Sequence, residues 1–260
     1  MMRHPVVMLL LVALLAACAK PPVEWSDPTP IAAPPGLAHL VMEQTGPPRL
    51  VPDSAPAGAV PADPALCRSS LRTVHGASRL YAVWWSVRSD SSASLEAAWS
   101  TDSGKTWGTA SPVDTSDVSS RGCNRPPPSI TTSGDDLHIA YSMVAPEGTG
   151  VFFAHFMGSM LHSPVAVIYG ERLVGTAIAA QGDRIAVAYE EPNGTRRQVD
   201  VALSVTQGHI FEWHEIASRD IDFATAPQVA LNGSRIAVAW VTRRMNDTTS
   251  TNVVREGRLR

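Results

Sequence analysis

The stretch STDSGKTW, Ser100 to Trp107, decides the fold. In a short polar turn of this composition Asp102 accepts hydrogen bonds from backbone N–H groups. Gly104 supplies the positive φ that closes such a turn, and Trp107 folds back as an apolar plug. The flanks 91–99 and 108–113 read as strands, so the turn is expected at the tip of a β-hairpin.

Working outward from that hairpin, four apolar segments match one another: RLYAVWW from Arg79, DLHIAYS from Asp136, RIAVAYE from Arg184 and RIAVAWV from Arg235. Each carries an aromatic at the same offset, Trp84, Tyr141, Tyr189 and Trp240. Each is preceded by a glycine-bearing turn (Gly76, Gly134, Gly182, Gly233), and that turn by another short apolar strand, as in PSITT from Pro128 and PQVAL from Pro227. Third strands are expected at Leu95–Trp99, Val151–Met157, Val199–Ser204 and Asn252–Arg255, and a fourth after Trp107 and after Trp213. Four-stranded antiparallel units recurring at a period of about 50 residues, rich in Val, Ile and aromatics and without helical periodicity, read as propeller blades. A β-sandwich is the alternative. The third unit carries a worn copy of the turn, SVTQGHIFEW, which keeps Ser204, Gly208 and Trp213 but has Thr206 in place of Asp.

The pattern Ser-x-Asp-x-Gly-x-Thr-Trp resembles the Asp-box, or BNR repeat, of the sialidase-like β-propellers, with Ser100, Asp102, Gly104, Thr106 and Trp107 at every specified position. The resemblance implies an all-β, sialidase-like β-propeller of four-stranded antiparallel blades. It also implies that the box is structural, on the face opposite the active site. Family members typically have six blades and four are visible here. A four- or five-bladed ring, an incomplete ring completed by a partner and further, more divergent blades all stay open. Because the last unit ends just after its third strand, a strand from Leu37 to Val51 is expected to complete it, which would remove an exposed sheet edge. Cys67 and Cys123 precede Arg79 and Asp136 at matching offsets on adjacent blades, and form an even pair once Cys18 is set aside. In an exported protein that pair is expected to be a disulfide.

Export is read from the N-terminus. Arg3 and His4 precede the apolar run Val6–Leu15, which ends in Leu15-Ala16-Ala17-Cys18. The run is too short for a comfortable membrane span. The segment resembles a bacterial lipoprotein signal, which implies cleavage after Ala17 and acylation of Cys18. An ordinary signal peptide with Cys18 incidental is the alternative. Ala19 in place of aspartate favours the outer membrane. The chain is therefore divided into a signal peptide (1–17), a lipidated Pro/Ala-rich tether (18–64) that also holds the closing strand, and a propeller domain (65–260). The expected partners are the membrane through the lipid anchor and a glycan or envelope protein. A net charge of −3 with no basic run excludes a nucleic-acid binder.

In this fold, ligands meet the loops between blades and the loops from second to third strands. A sialidase would need three arginines on the substrate carboxylate, a tyrosine nucleophile assisted by a glutamate, and an aspartate as general acid and base. Arg125, Glu190, Glu191, Arg243 and Arg244 are the candidate ligand-face residues. Tyr81, Tyr141 and Tyr189 fall inside repeat strands and Tyr169 near a blade end, so no catalytic set is assigned. The eight histidines have no metal-ligand spacing, and no metal or cofactor is expected. The function expected is non-catalytic binding by an envelope lipoprotein, with an exo-sialidase-like hydrolase as the alternative.

Overall fold

A computed structural model describes residues 22–36, 38–53, 59–193, 197–218, 222–244 and 247–260. Cys18 and residues 1–17, expected to form a signal peptide, lie outside the described residues. The N-terminal part contributes β1 (Val23–Trp25), β2 (Thr29–Pro30), β3 (Ala38–Val41) and β4 (Arg49–Pro52). The first blade is β5 (Arg72–His75), β6 (Leu80–Val87), β7 (Ala93–Ser100) and β8 (Ser111–Asp114). The second is β9 (Ser129–Ser133), β10 (Asp136–Ala145), β11 (Gly148–Met157) and β12 (Met160–Gly170). The third is β13 (Thr176–Gln181), β14 (Arg184–Glu190), β15 (Val199–Ser204) and β16 (Trp213–Ile216). β17 (Asp222–Asn232), β18 (Arg235–Arg244) and β19 (Thr251–Leu259) begin the fourth. Among β5–β19 every ladder is antiparallel and joins neighbours in sequence, as a meander requires.

The four matching segments become the second strands β6, β10, β14 and β18. They are apolar on both faces because each face is covered by another element. Tyr81, Val83 and Trp85 pack on Leu137, Ile139 and Tyr141 across the first seam. Val151 and Phe153 meet Ile185, Val187 and Tyr189 across the second. Ala186 and Val201 meet Val229, Ile236 and Trp240 across the third. Burying such a Val, Leu or Ile contributes about 1.5–3 kcal/mol each. The aromatics at the shared offset are all buried, and three of them direct their polar atoms to fixed partners. Trp84 Nε1 donates to Asp63, Tyr141 OH donates to Asp114, and Tyr189 OH lies 3.0 Å from His214 Nδ1.

The chain departs from expectation at its N-terminus. The fourth blade is completed by β1, in the register Val23↔Leu259, Glu24↔Arg258 and Trp25↔Gly257, and not by a strand from 37–51. β2 continues along β19 through Thr29↔Val254 and Pro30↔Val253. These strands sit at the outer edge of the blade and make one ladder only, so the neighbouring prolines deny no needed donor. Trp25 is held by Arg255, whose guanidinium lies 5.3 Å from its ring and whose Nε donates to Ser26 O. Residues 38–52 instead form a separate β3–β4 hairpin, with Leu40 and Met42 buried against Ala230, Ala237, Ala239 and Val254 of the fourth blade. At the far end of this hairpin the charge of Asp53 acts on Arg72 at the start of the first blade. Residues 22–36 and 38–53 therefore carry strands and apolar residues that pack on the fourth blade, and do not form a free tether. Its apolar residues decide this, since they have blade surface to cover.

Cys67 and Cys123 form the expected disulfide, with Cα atoms 5.4 Å apart. It joins the entry to the first blade to the loop that leads into the second.

Candidate functional site

The turn at Ser100–Trp107 is held from within. Ser100 Oγ accepts Gly104 N at 2.8 Å and donates to Asp102 Oδ1 at 2.7 Å. Asp102 accepts Thr106 N at 2.9 Å and Thr106 Oγ1 at 2.6 Å. Those donors, Thr106 foremost, hold the Asp102 carboxyl far below its ordinary range. The worn copy in the third blade keeps the same scheme with weaker parts. Ser204 Oγ accepts Gly208 N at 3.1 Å, and Thr206 Oγ1 accepts Ile210 N at 3.2 Å in the role of the aspartate. The backbone agrees too: Ser103 and Gly104 have φ of 61° and 83°, and Gln207 and Gly208 have 58° and 85°. Two blades thus carry one turn, in the same place on the same sheet position. The fold is an all-β propeller of four-stranded antiparallel blades.

On the face opposite these turns the inner strands begin, and the candidate ligand residues come from there. Arg125 is not presented to solvent. Its side chain and that of Asp117 are both fully buried, with Nε 3.2 Å from Oδ2 and Nη2 3.2 Å from Oδ1. Nη2 also donates to Ser119 O at 2.7 Å, Nη1 donates to Gly122 O, and the guanidinium lies 5.7 Å from the Trp85 ring centre. This corrects the expectation of a ligand-face arginine, because the fork is already matched by a carboxylate and two carbonyls. Glu190 is half-buried and its Oε1 accepts Ala226 N at 3.1 Å, stitching the third blade to the bulged start of β17. Glu191 Oε1 accepts both Asn193 N and Asn193 Nδ2 at 2.8 Å. Arg243 and Arg244 differ from these. They are exposed at the outer end of β18, opposite Phe223 and Asp222 in the ladder, and the Arg243 guanidinium lies 5.5 Å from the Phe223 ring. Arg125, between the first and second blades, and Arg243 with Arg244, on the fourth, are not brought into one cluster.

The tyrosines nearest this face are held as phenols. Burial, then the charge of Asp114, pushes the Tyr141 hydroxyl well above its ordinary range, and it donates to Asp114 Oδ2 at 2.6 Å. Burial also raises Tyr189, whose hydroxyl pairs with His214. Neither hydroxyl is paired with a glutamate, the partner a glycosidase tyrosine needs.

Metal-binding capacity, which the histidine spacing gave no reason to expect, lies on the other face. The register pairs His138 of β10 with His155 of β11, and His155 with His162 of β12, in one row across the second blade. The worn turn of the third blade places His209 beside that row, so that ligand atoms of His155, His162 and His209 all lie within 4.8 Å of one another. Gly208 makes the approach possible: a Cβ there would stand 2.1 Å from Phe153. Burial, reinforced by the neighbouring imidazoles, lowers the His155 pKa to about 4, and burial lowers that of His138 to about 4. The sequence signal for this row was His155 and His162 flanking the tight turn at Gly158, positions that a hairpin sets opposite each other.

No family model and no curated protein matches the chain. Solved structures do. A protein of unknown function from Dyadobacter fermentans DSM 18053 matches with a TM-score of 0.52 at 16% identity, over 72% of this chain and 52% of that one. A ulvan lyase of polysaccharide lyase family PL25 matches with a TM-score of 0.48 at 14% identity, over 75% and 48%. The Hadza microbial sialidase Hz136 matches with a TM-score of 0.46 at 13% identity, over 70% and 45%. The chain spans about half the length of these structures.

Proposed function

We propose that this chain is a non-catalytic binding propeller of the bacterial envelope, tethered by acylation of Cys18, which recognises an acidic glycan or an acidic partner through the outer end of β17 and β18. The observation that carries the reading is the exposed pair Arg243 and Arg244, with Arg243 against Phe223. A guanidinium beside an aromatic ring offers a carboxylate a forked donor and a sugar an apolar surface in one place. Support also comes from what the rest of the face does with its charges. Arg125, Glu190 and Glu191 hold the structure together, and Tyr141 and Tyr189 are kept protonated.

The test is a glycan array on the full chain, followed by calorimetry. Arg243→Ala and Arg244→Ala are each expected to weaken binding of an acidic glycan by about 1.5–3 kcal/mol, the scale of a charge-assisted hydrogen bond. Melting temperature should scarcely move, since exposed arginines contribute little to stability. If the wild type binds no acidic glycan or acidic protein, or if both variants bind as the wild type does, the reading fails. The anchor is tested separately: Cys18→Ser is expected to abolish acyl labelling and membrane partition, and unchanged labelling would refute it.

A further inference from the structure

We propose that His155, His162 and His209 form a binding site for a divalent transition-metal ion of the zinc class, on the face opposite Arg243 and Arg244 and independent of any glycan they bind. The three ring centres are 4.4, 5.2 and 5.5 Å apart. Three imidazoles on one tetrahedral ion, each with a metal–nitrogen bond of about 2.0 Å, have ring centres about 5 Å apart. The cluster therefore already has the spacing of a three-histidine centre.

The chemistry of each ring agrees. His155 is 3% exposed, and neither of its nitrogens has a hydrogen-bond partner among the described residues. A buried polar atom left without a partner costs about 1–3 kcal/mol, and a metal–nitrogen bond would remove that cost. His209 Nδ1 lies 2.6 Å from Thr206 O. A carbonyl only accepts, so Nδ1 carries the proton and Nε2 presents its lone pair, the arrangement that backbone carbonyls impose on metal-bound histidines. His162 stands across the ladder from His155 and supplies the third nitrogen. Phe153 and Phe211 wall the inner side, their rings 5.5 Å apart. His209 is exposed, so the fourth position of the ion faces solvent. Such an ion would tie β11 and β12 of the second blade to the turn of the third. His138, with its ring centre 5.9 Å from that of His155, lies behind the site and not in it.

The purified full chain, freed of metal by a chelator, would be titrated with Co²⁺ and then with Zn²⁺. One equivalent of Co²⁺ is expected to give the intense visible absorption of a four-coordinate ion, and Zn²⁺ to displace it. His162→Ala and His209→Ala, at half-buried and exposed positions, are each expected to weaken Zn²⁺ binding by about a hundredfold or more, since losing even an outer partner of a ligand costs about 10–100-fold. Both variants should melt as the metal-free wild type does, and only the wild type should gain melting temperature on adding Zn²⁺. His75→Ala, outside the cluster, should bind as the wild type does. The proposal is overturned if no Zn²⁺-displaceable Co²⁺ spectrum appears, or if both variants keep wild-type affinity.

Discussion

Arg125→Ala is expected to lower the free energy of unfolding by about 3–5 kcal/mol, the range for breaking a buried ion pair by removing one partner. The cost arises from what stays behind. Asp117 would lose its cationic partner with its side chain out of contact with solvent, and Ser119 O and Gly122 O would lose the guanidinium donor. The loss of the guanidinium from the Trp85 face adds a packing term, while Trp85 Nε1 keeps its own bond to Pro126 O. Urea denaturation gives the magnitude. Double substitution of Arg125 and Asp117 by apolar residues should cost less than Arg125→Ala alone, because no charge is then stranded. A fully stable Arg125→Ala variant that had lost ligand binding would return this residue to the ligand face.

The second large effect is expected at the disulfide. Cys67 and Cys123 are separated by 56 residues. Closing a loop of that size removes denatured-state entropy worth about 4 kcal/mol in the chain-entropy description. Cys67→Ser with Cys123→Ser should lose stability on that scale, and the same loss should appear when the wild type is unfolded under reducing conditions. Cys123 lies two residues before Arg125, in the loop that wraps its guanidinium. The disulfide and ion-pair losses should therefore be less than additive. Full additivity in the denaturation midpoints would mean that the disulfide and the ion pair stabilise the fold independently of each other.

Blades were legible in the sequence because their cause is local. A strand covered on both faces must be apolar throughout, and RIAVAYE and RIAVAWV declare it. The worn turn was legible for the same reason, since Ser204 and Gly208 keep the backbone geometry even after threonine has replaced the aspartate. What could not be read depends on partners distant in sequence. β1 is three residues among prolines, and only the free edge of β19 makes it a strand. Arg125 looks like a loop arginine until Asp117 and Trp85 close around it. The clustered histidines come from two strands and a turn on two blades, and only the register of β11 and β12 with the seat of Gly208 on Phe153 brings them together. Arg243 and Arg244 were legible as charge, but their projection comes from the length of β17 and β18, which run beyond the bulge at Ala226.

The measurement that bears most directly on the proposed function sets binding against turnover in one preparation. The full chain would be incubated with a fluorogenic sialoside while calorimetry on the same sample follows an acidic glycan. The account predicts heat of binding that diminishes in Arg243→Ala and Arg244→Ala, and no fluorophore release above the uncatalysed rate. Sustained release that disappears in either variant would contradict it and make the chain a hydrolase.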